Sequence, residues 1–140
     1  MLMYFLLMFY LNLTVSSILL GLILTIQFVH YKSFKFIDNE EFKNFHKFHT
    51  KNISFLVVPL MGLEVILALL IIFYDSSLLT LLNLIFVALI WVSTFLFQVP
   101  SHNRLSEGKS LDEIHKLIKS NLYRSILWFL KVIISLLIII

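Results

Sequence analysis

The chain of 140 residues contains no cysteine. Disulfides and thiolate-ligated metal sites are therefore excluded, and the absence says nothing of compartment. Charge is sparse, with 14% of residues charged and eight acids in all. So few exposed bases exclude nucleic acid as a partner, because such binding rests on many phosphate contacts. Proline occurs twice and glycine three times, and neither falls between Ser110 and Ile140. What remains is apolar: 60% of the residues are hydrophobic and the mean hydropathy is +0.98. Soluble domains run at about 45–50% apolar.

A helix needs roughly 20 apolar residues to cross a bilayer core. Four segments qualify, about Tyr4–Tyr31, Asn52–Tyr74, Leu78–Val99 and Asn121–Ile140. They lack the period-two alternation of barrel strands, and backbone groups in lipid must be satisfied internally, so helices are expected. The N-terminal segment lacks a basic stretch and a small-residue cleavage site. It reads as a retained span rather than a signal peptide. The expectation is one domain over residues 1–140, an all-α four-helix membrane bundle.

The bases cluster. Lys32, Lys35, Lys43, Lys47 and Lys51 follow the first span, and Arg104, Lys109, Lys116 and Lys119 follow the third. The link Asp75-Ser76-Ser77 has none. The positive-inside rule then places both long loops in the cytoplasm and both termini outside, in a bacterial inner membrane. Each long loop carries a capping-box pattern, Asp38 to Glu41 and Ser110 to Glu113. Each pattern starts an amphipathic stretch, so two interfacial helices are expected. The second is expected to run unbroken into the last span. Pro100 is expected to end the third span, and Gly108 to turn the chain.

All five histidines lie in or beside these loops. His46 and His49 fall on the apolar face of the first amphipathic stretch and should point into the bundle. Gln27 and His30 are three apart on the first span, Gln98 and His102 four apart across Pro100. Asn121, Arg124 and Trp128 form one stripe on the fourth. Closure of the bundle would gather these in one layer. His115 lies on a mixed edge and is left out. Deeper, Glu64 and Lys131 lie about 18 Å and 15 Å of helical rise from the cytoplasmic side. An unpaired carboxylate there costs several kcal/mol. It is either paired with Lys131, protonated, or used as an acid/base or metal ligand.

Three readings of the layer stand. It is a structural hydrogen-bond network. It is a metal or haem site, with Fe, Cu or haem held by His46 and His49 plus His30 or His102. Or it is a metal-free pocket for an aromatic or quinone-like ligand, with histidine as acid/base and Arg124 stabilising an oxyanion.

Two stretches carry a family resemblance. WVSTFLFQVPSHNRLSEG and LDEIHKLIKSNLYRSILWFL resemble the end of a family of small four-helix bacterial membrane proteins. These are related to the anthrone-oxygenase-like domain of unknown function. The matching positions are Pro100, Asn103, Arg104, Leu105, Leu117, Asn121, Arg124 and Trp128. The stretch FVHYKSF…FHKFHT…VPLMGLE resembles an uncharacterised bacterial branch through His30, Tyr31, His46, His49, Pro59 and Glu64. The histidine-rich first loop departs from the general pattern. The resemblance implies oxidation of anthrone-like substrates for the broad family.

Together these observations lead to a membrane-embedded oxidoreductase or oxygenase acting on a hydrophobic small molecule that enters from lipid. His30, Glu64, His102, Asn121 and Arg124 are the candidate catalytic residues, and His46 and His49 the candidate metal ligands. The alternative is a scaffold or partner subunit whose polar layer only holds the bundle. A transporter is the third class, but paired broken helices are not evident. The Met- and Phe-rich segment Met1–Tyr10 would serve self-association in a homo-oligomer.

Overall fold

The computed structural model describes residues 2–140, leaving aside the side chains of Leu2, Tyr4 and Phe5. Met1, at the edge of the segment suggested for self-association, lies outside the described residues. The first rod, α1, runs as an α-helix over Leu2–Thr25, widens into a π-helical turn at Ile26–His30 and closes with Tyr31–Ser33 and a 3-10 turn, Phe34–Phe36. The second rod, α2, spans Asn39–Tyr74 without a break. The third, α3, runs over Leu78–Ser93, a π-turn Thr94–Gln98 and Val99–Ser106. The fourth, α4, is Leu111–Ile139.

All four rods are long and apolar enough to cross a membrane. Each packs against its sequence neighbours, and α1 closes the ring against α4. The short links make successive rods antiparallel. Large apolar side chains such as Leu69, Phe73, Leu89 and Phe129 face outward, as lipid contact requires. Serines and threonines on these faces, including Thr14, Ser17 and Thr25, return their hydroxyls to the carbonyl four residues back. That satisfies them without water.

The ends of the rods follow from local chemistry. Ser77 and Ser110 cap α3 and α4 by accepting from the amides of Thr80 and Glu113. Asp38 holds the N-cap position of α2, but its side chain makes no capping bond. Gly108 takes a φ of 155° in the link to α4, a conformation that costs glycine little. Lys109 then ties that link to the end of α1, donating to the carbonyls of Lys35 and Ile37.

The amphipathic stretches are the opening turns of α2 and α4, each running into its span as expected. No residue between them and the spans breaks the helix, so the rods simply extend beyond the lipid-length segment. One expectation needs correction. Pro100 does not end the third rod, which continues to Ser106. A helical proline clashes with the carbonyl four residues earlier, here that of Leu96. The π-turn Thr94–Gln98 contains that carbonyl, and its wider winding is where the clash is absorbed.

Candidate functional site

The polar side chains of the bundle divide into two assemblies. The first is deep and closed. Lys131 Nζ lies 3.1 Å from Glu64 Oε1, and both side chains are 0% exposed. Lys131 also donates to Ser16 Oγ at 2.7 Å and reaches Asn12 Oδ1 at 3.5 Å, so its three protons each have an acceptor. Ser16 Oγ lies 2.9 Å from Glu64 Oε1, and the indole N–H of Trp128 donates to Glu64 Oε2 at 3.2 Å. Ser135 donates on to Asn12 and Asn83. Glu64 is thus the ion-pair partner of Lys131, tying α2 to α4 through α1.

The second assembly borders a cavity of about 520 Å³. From α2, His46 and His49 turn inward off the apolar face and are almost wholly buried. From α3 comes His102, whose Nδ1 meets His46 Nε2 at 3.0 Å. From α1 comes Tyr31, whose hydroxyl meets His102 Nε2 at 3.0 Å and reaches Gln98 Oε1 at 3.5 Å. Gln98 is anchored by donating to Ser120 Oγ on α4 at 2.7 Å. The chain Gln98–Tyr31–His102–His46 therefore crosses three rods. Phe34 supports it, edge-on to Phe42, His46 and His49.

The two links through His102 can each be donated in either direction, whereas Gln98 Oε1 can only accept from Tyr31. In one arrangement His46 Nε2–H donates to His102, His102 Nε2–H to Tyr31, and Tyr31 to Gln98. In the other, Tyr31 donates to His102 Nε2 and His102 Nδ1–H to His46. Such an arrangement can pass a proton between His46 and Tyr31 through His102, while Gln98 only fixes the Tyr31 hydroxyl.

Arg124 faces the same cavity from α4 and is 5% exposed. Its guanidinium stacks on Trp128 with 5.2 Å between the charge and the ring centre. It makes no hydrogen bond or ion pair among the described residues, and Nε is buried without a partner. It therefore does not cap helix carbonyls, as a purely structural network would have it. His49 Nε2 is likewise buried and unpartnered.

The expected site residues thus separate. His46, His49, His102 and Arg124 line one cavity. His30 stands behind it, half-buried against the ring of His49 with centroids 5.5 Å apart. Asn121 donates to Gln27 at 2.8 Å, away from the cavity. Glu64 belongs to the deep assembly. His115 is exposed and lies beside Lys35. Tyr31 is the cavity-lining residue that spacing missed. The π-turn swings His30 outward and gives Tyr31 the place that a regular helix would assign nearer to His30. Its only signal was the resemblance through HisTyr at 30–31.

The ring nitrogens do not fit a three-ligand metal centre. Those of His46 and His102 are turned on each other in a hydrogen bond, and among the described residues no three His, Asp or Glu side chains gather around one point. No family model, no curated protein and no solved structure matches this chain.

Proposed function

We propose that the chain is a membrane-embedded acid/base catalyst, oxygenase-like in outcome, acting on a hydrophobic small molecule that enters the cavity from lipid. The observation that carries this reading is the reversible chain Tyr31–His102–His46 on the wall of a drug-sized cavity. Ile23, Val57 and Met61 supply an apolar inner wall. The mouth lies between α2 and α3, where Ser54, Val58 and Val99 are exposed. That opening faces sideways, toward the lipid that carries such substrates.

A carbon acid activated by neighbouring carbonyl or aryl groups fits this machinery. The relay takes its proton, and dioxygen accepts the electrons of the resulting carbanion. A methylene plus O2 gives a carbonyl plus water, so atoms and electrons balance. The resemblance through Asn121, Arg124 and Trp128 supports an anthrone-like substrate. The lysine-rich ends of α1 and α2 and the bases after α3 support a cytoplasmic position for the cavity, in a bacterial inner membrane with both termini outside.

The test uses the purified chain in nanodiscs with anthrone, following oxygen uptake and the absorbance of the quinone. Turnover above that of empty nanodiscs is expected. His102→Ala should lower it by about 10²-fold or more, the usual contribution of a positioned acid/base. Wild-type turnover equal to empty nanodiscs would sink the reading for this substrate class.

The scaffold reading is favoured by one observation, the deep assembly. Glu64, Lys131 and Ser16 satisfy one another, although Asn12 Nδ2 and Asn83 Nδ2 beside them are buried without a partner. It accounts for that layer and leaves the unpartnered groups at the cavity unexplained.

A further inference from the structure

Among the described residues, Arg124 is the one cation of the buried interior that has no anion. Lys131 is matched by Glu64 at 3.1 Å. Outside the lipid-length segments, Arg104 and Lys116 share Glu113, each at 2.8 Å. Arg124, 5% exposed, has only the face of Trp128, and the Trp128 N–H is already committed to Glu64. A stacked indole offsets part of the cost of a buried guanidinium but accepts none of its five N–H donors. A buried charge without a partner costs several kcal/mol.

The cavity that Arg124 faces deepens the imbalance. Lys43 and Lys47 line it as well, and among the described residues no aspartate or glutamate does. His49 Nε2, also buried without a partner, borders the same space. Ile23, Ile26, Val57 and Met61 form an aliphatic patch of the wall, beside Tyr31, Thr94 and Gln98. A cavity with fixed positive charge, one free imidazole nitrogen and an apolar patch is complementary to a molecule with the opposite parts.

We propose that the ligand of this cavity is an amphiphile bearing one oxyanion, a carboxylate or phosphate, which pairs with the Arg124 guanidinium while its apolar body lies against Ile23, Val57 and Met61. The proposal rests on the reading of the cavity as a small-molecule site and names the class of molecule. A planar carboxylate suits the guanidinium fork through two parallel hydrogen bonds. His49 Nε2–H is placed to donate to the same anion. Lys43 and Lys47 in the lining raise the local concentration of anions near the cavity.

Trp128 provides the readout, since the guanidinium stacked on it is the group that the anion would engage. A Trp91→Phe background leaves Trp128 as the single tryptophan. This protein, in phosphatidylcholine nanodiscs, is titrated with dodecanoate, with dodecanol and with dodecyltrimethylammonium, each corrected for partition into empty nanodiscs. Saturable change in Trp128 emission is expected with dodecanoate, at an apparent affinity at least tenfold tighter than for dodecanol, and none with the cation.

Arg124→Gln should remove that tenfold preference, with melting temperature and monodispersity monitored. If that variant fails to fold, the three-ligand series on the wild-type arginine still decides the matter. Equal binding of dodecanoate and dodecanol would overturn the anion assignment while leaving a hydrophobic-ligand site in place. Absence of saturable binding by any of the three would overturn the ligand site as well. Two sources carry this chemistry, and a second arm separates them. Displacement of dodecanoate by phosphatidylglycerol in the nanodisc identifies a lipid headgroup. Indifference to it identifies a free acid.

Discussion

His46 and His102 share one hydrogen bond, Nε2 to Nδ1 at 3.0 Å, and this bond joins α2 to α3 beside the open cavity. Its partner bond, from His102 to the Tyr31 hydroxyl, brings in α1. Tyr31→Phe removes one oxygen and keeps the ring contacts with Phe34, His49 and His102. Turnover should fall by about 10²-fold, while stability falls by no more than about 1–3 kcal/mol for the lost bond. Steady-state oxygen uptake and a thermal melt on the same preparation separate the two effects. Parallel loss of both would make the hydroxyl a packing element only.

The Glu64–Lys131 pair invites a double-mutant cycle. Glu64→Gln leaves the Lys131 ammonium buried beside neutral acceptors, and Lys131→Met leaves the Glu64 carboxylate with Ser16 and Trp128 alone. Each single change should destabilise by about 3–5 kcal/mol, because breaking one side of a buried pair strands the other. The double variant should recover most of that loss. Melting curves of the four proteins in one detergent give the coupling. Strictly additive losses would mean that the two groups act independently.

Ser110 accepts from the Glu113 amide at the start of α4. The carboxylate of Glu113 meanwhile holds Arg104 at the end of α3 and Lys116 one turn on. Ser110→Ala should cost about 1 kcal/mol. Ser110→Gly should be milder, within a few tenths of a kcal/mol of the serine, because glycine is itself tolerated at an N-cap. Hydrogen exchange at the first turn of α4 should rise in the alanine protein. An unchanged exchange rate there would show that the ion pairs alone hold the turn.

How much of this was legible in the sequence depended on the range of the interaction. Spans and the inward face of His46 and His49 follow from helical periodicity, and the Ser110 cap from the capping-box residues; both signals are local. The matching depths of Glu64 and Lys131 left pairing open as one reading, since both counts start from the same membrane face. Their companions Asn12, Ser16 and Asn83 carry no charge, so nothing in their sequence surroundings marks them as second partners. Asp38 sits where a cap belongs and makes no bond, because an exposed carboxylate has water as a competing partner. The unpaired state of Arg124 is a statement about every rod at once. The π-turns lay furthest out of reach, since periodicity arguments assume one winding throughout.

Each π-turn adjoins a threonine bonded to the carbonyl four residues back, Thr25 to Gly21 and Thr94 to Ile90. Only the second is followed by a proline. If Pro100 maintains that turn, Pro100→Ala restores an amide donor toward Leu96 and lets Thr94–Gln98 rewind as α-helix. A helix-interior proline costs about 3 kcal/mol, and the widened turn relieves part of it, so a gain of about 1 kcal/mol in stability is expected. Rewinding rotates Gln98 and His102 relative to the upstream half of α3. The His102–His46 and Gln98–Ser120 bonds should lengthen, and turnover should fall while the melting temperature rises. That opposite movement is the signature of strain kept for the site. A protein that loses stability and keeps full turnover would place the cause of the turn in Thr94 instead, and Thr94→Val would then be the change that rewinds it.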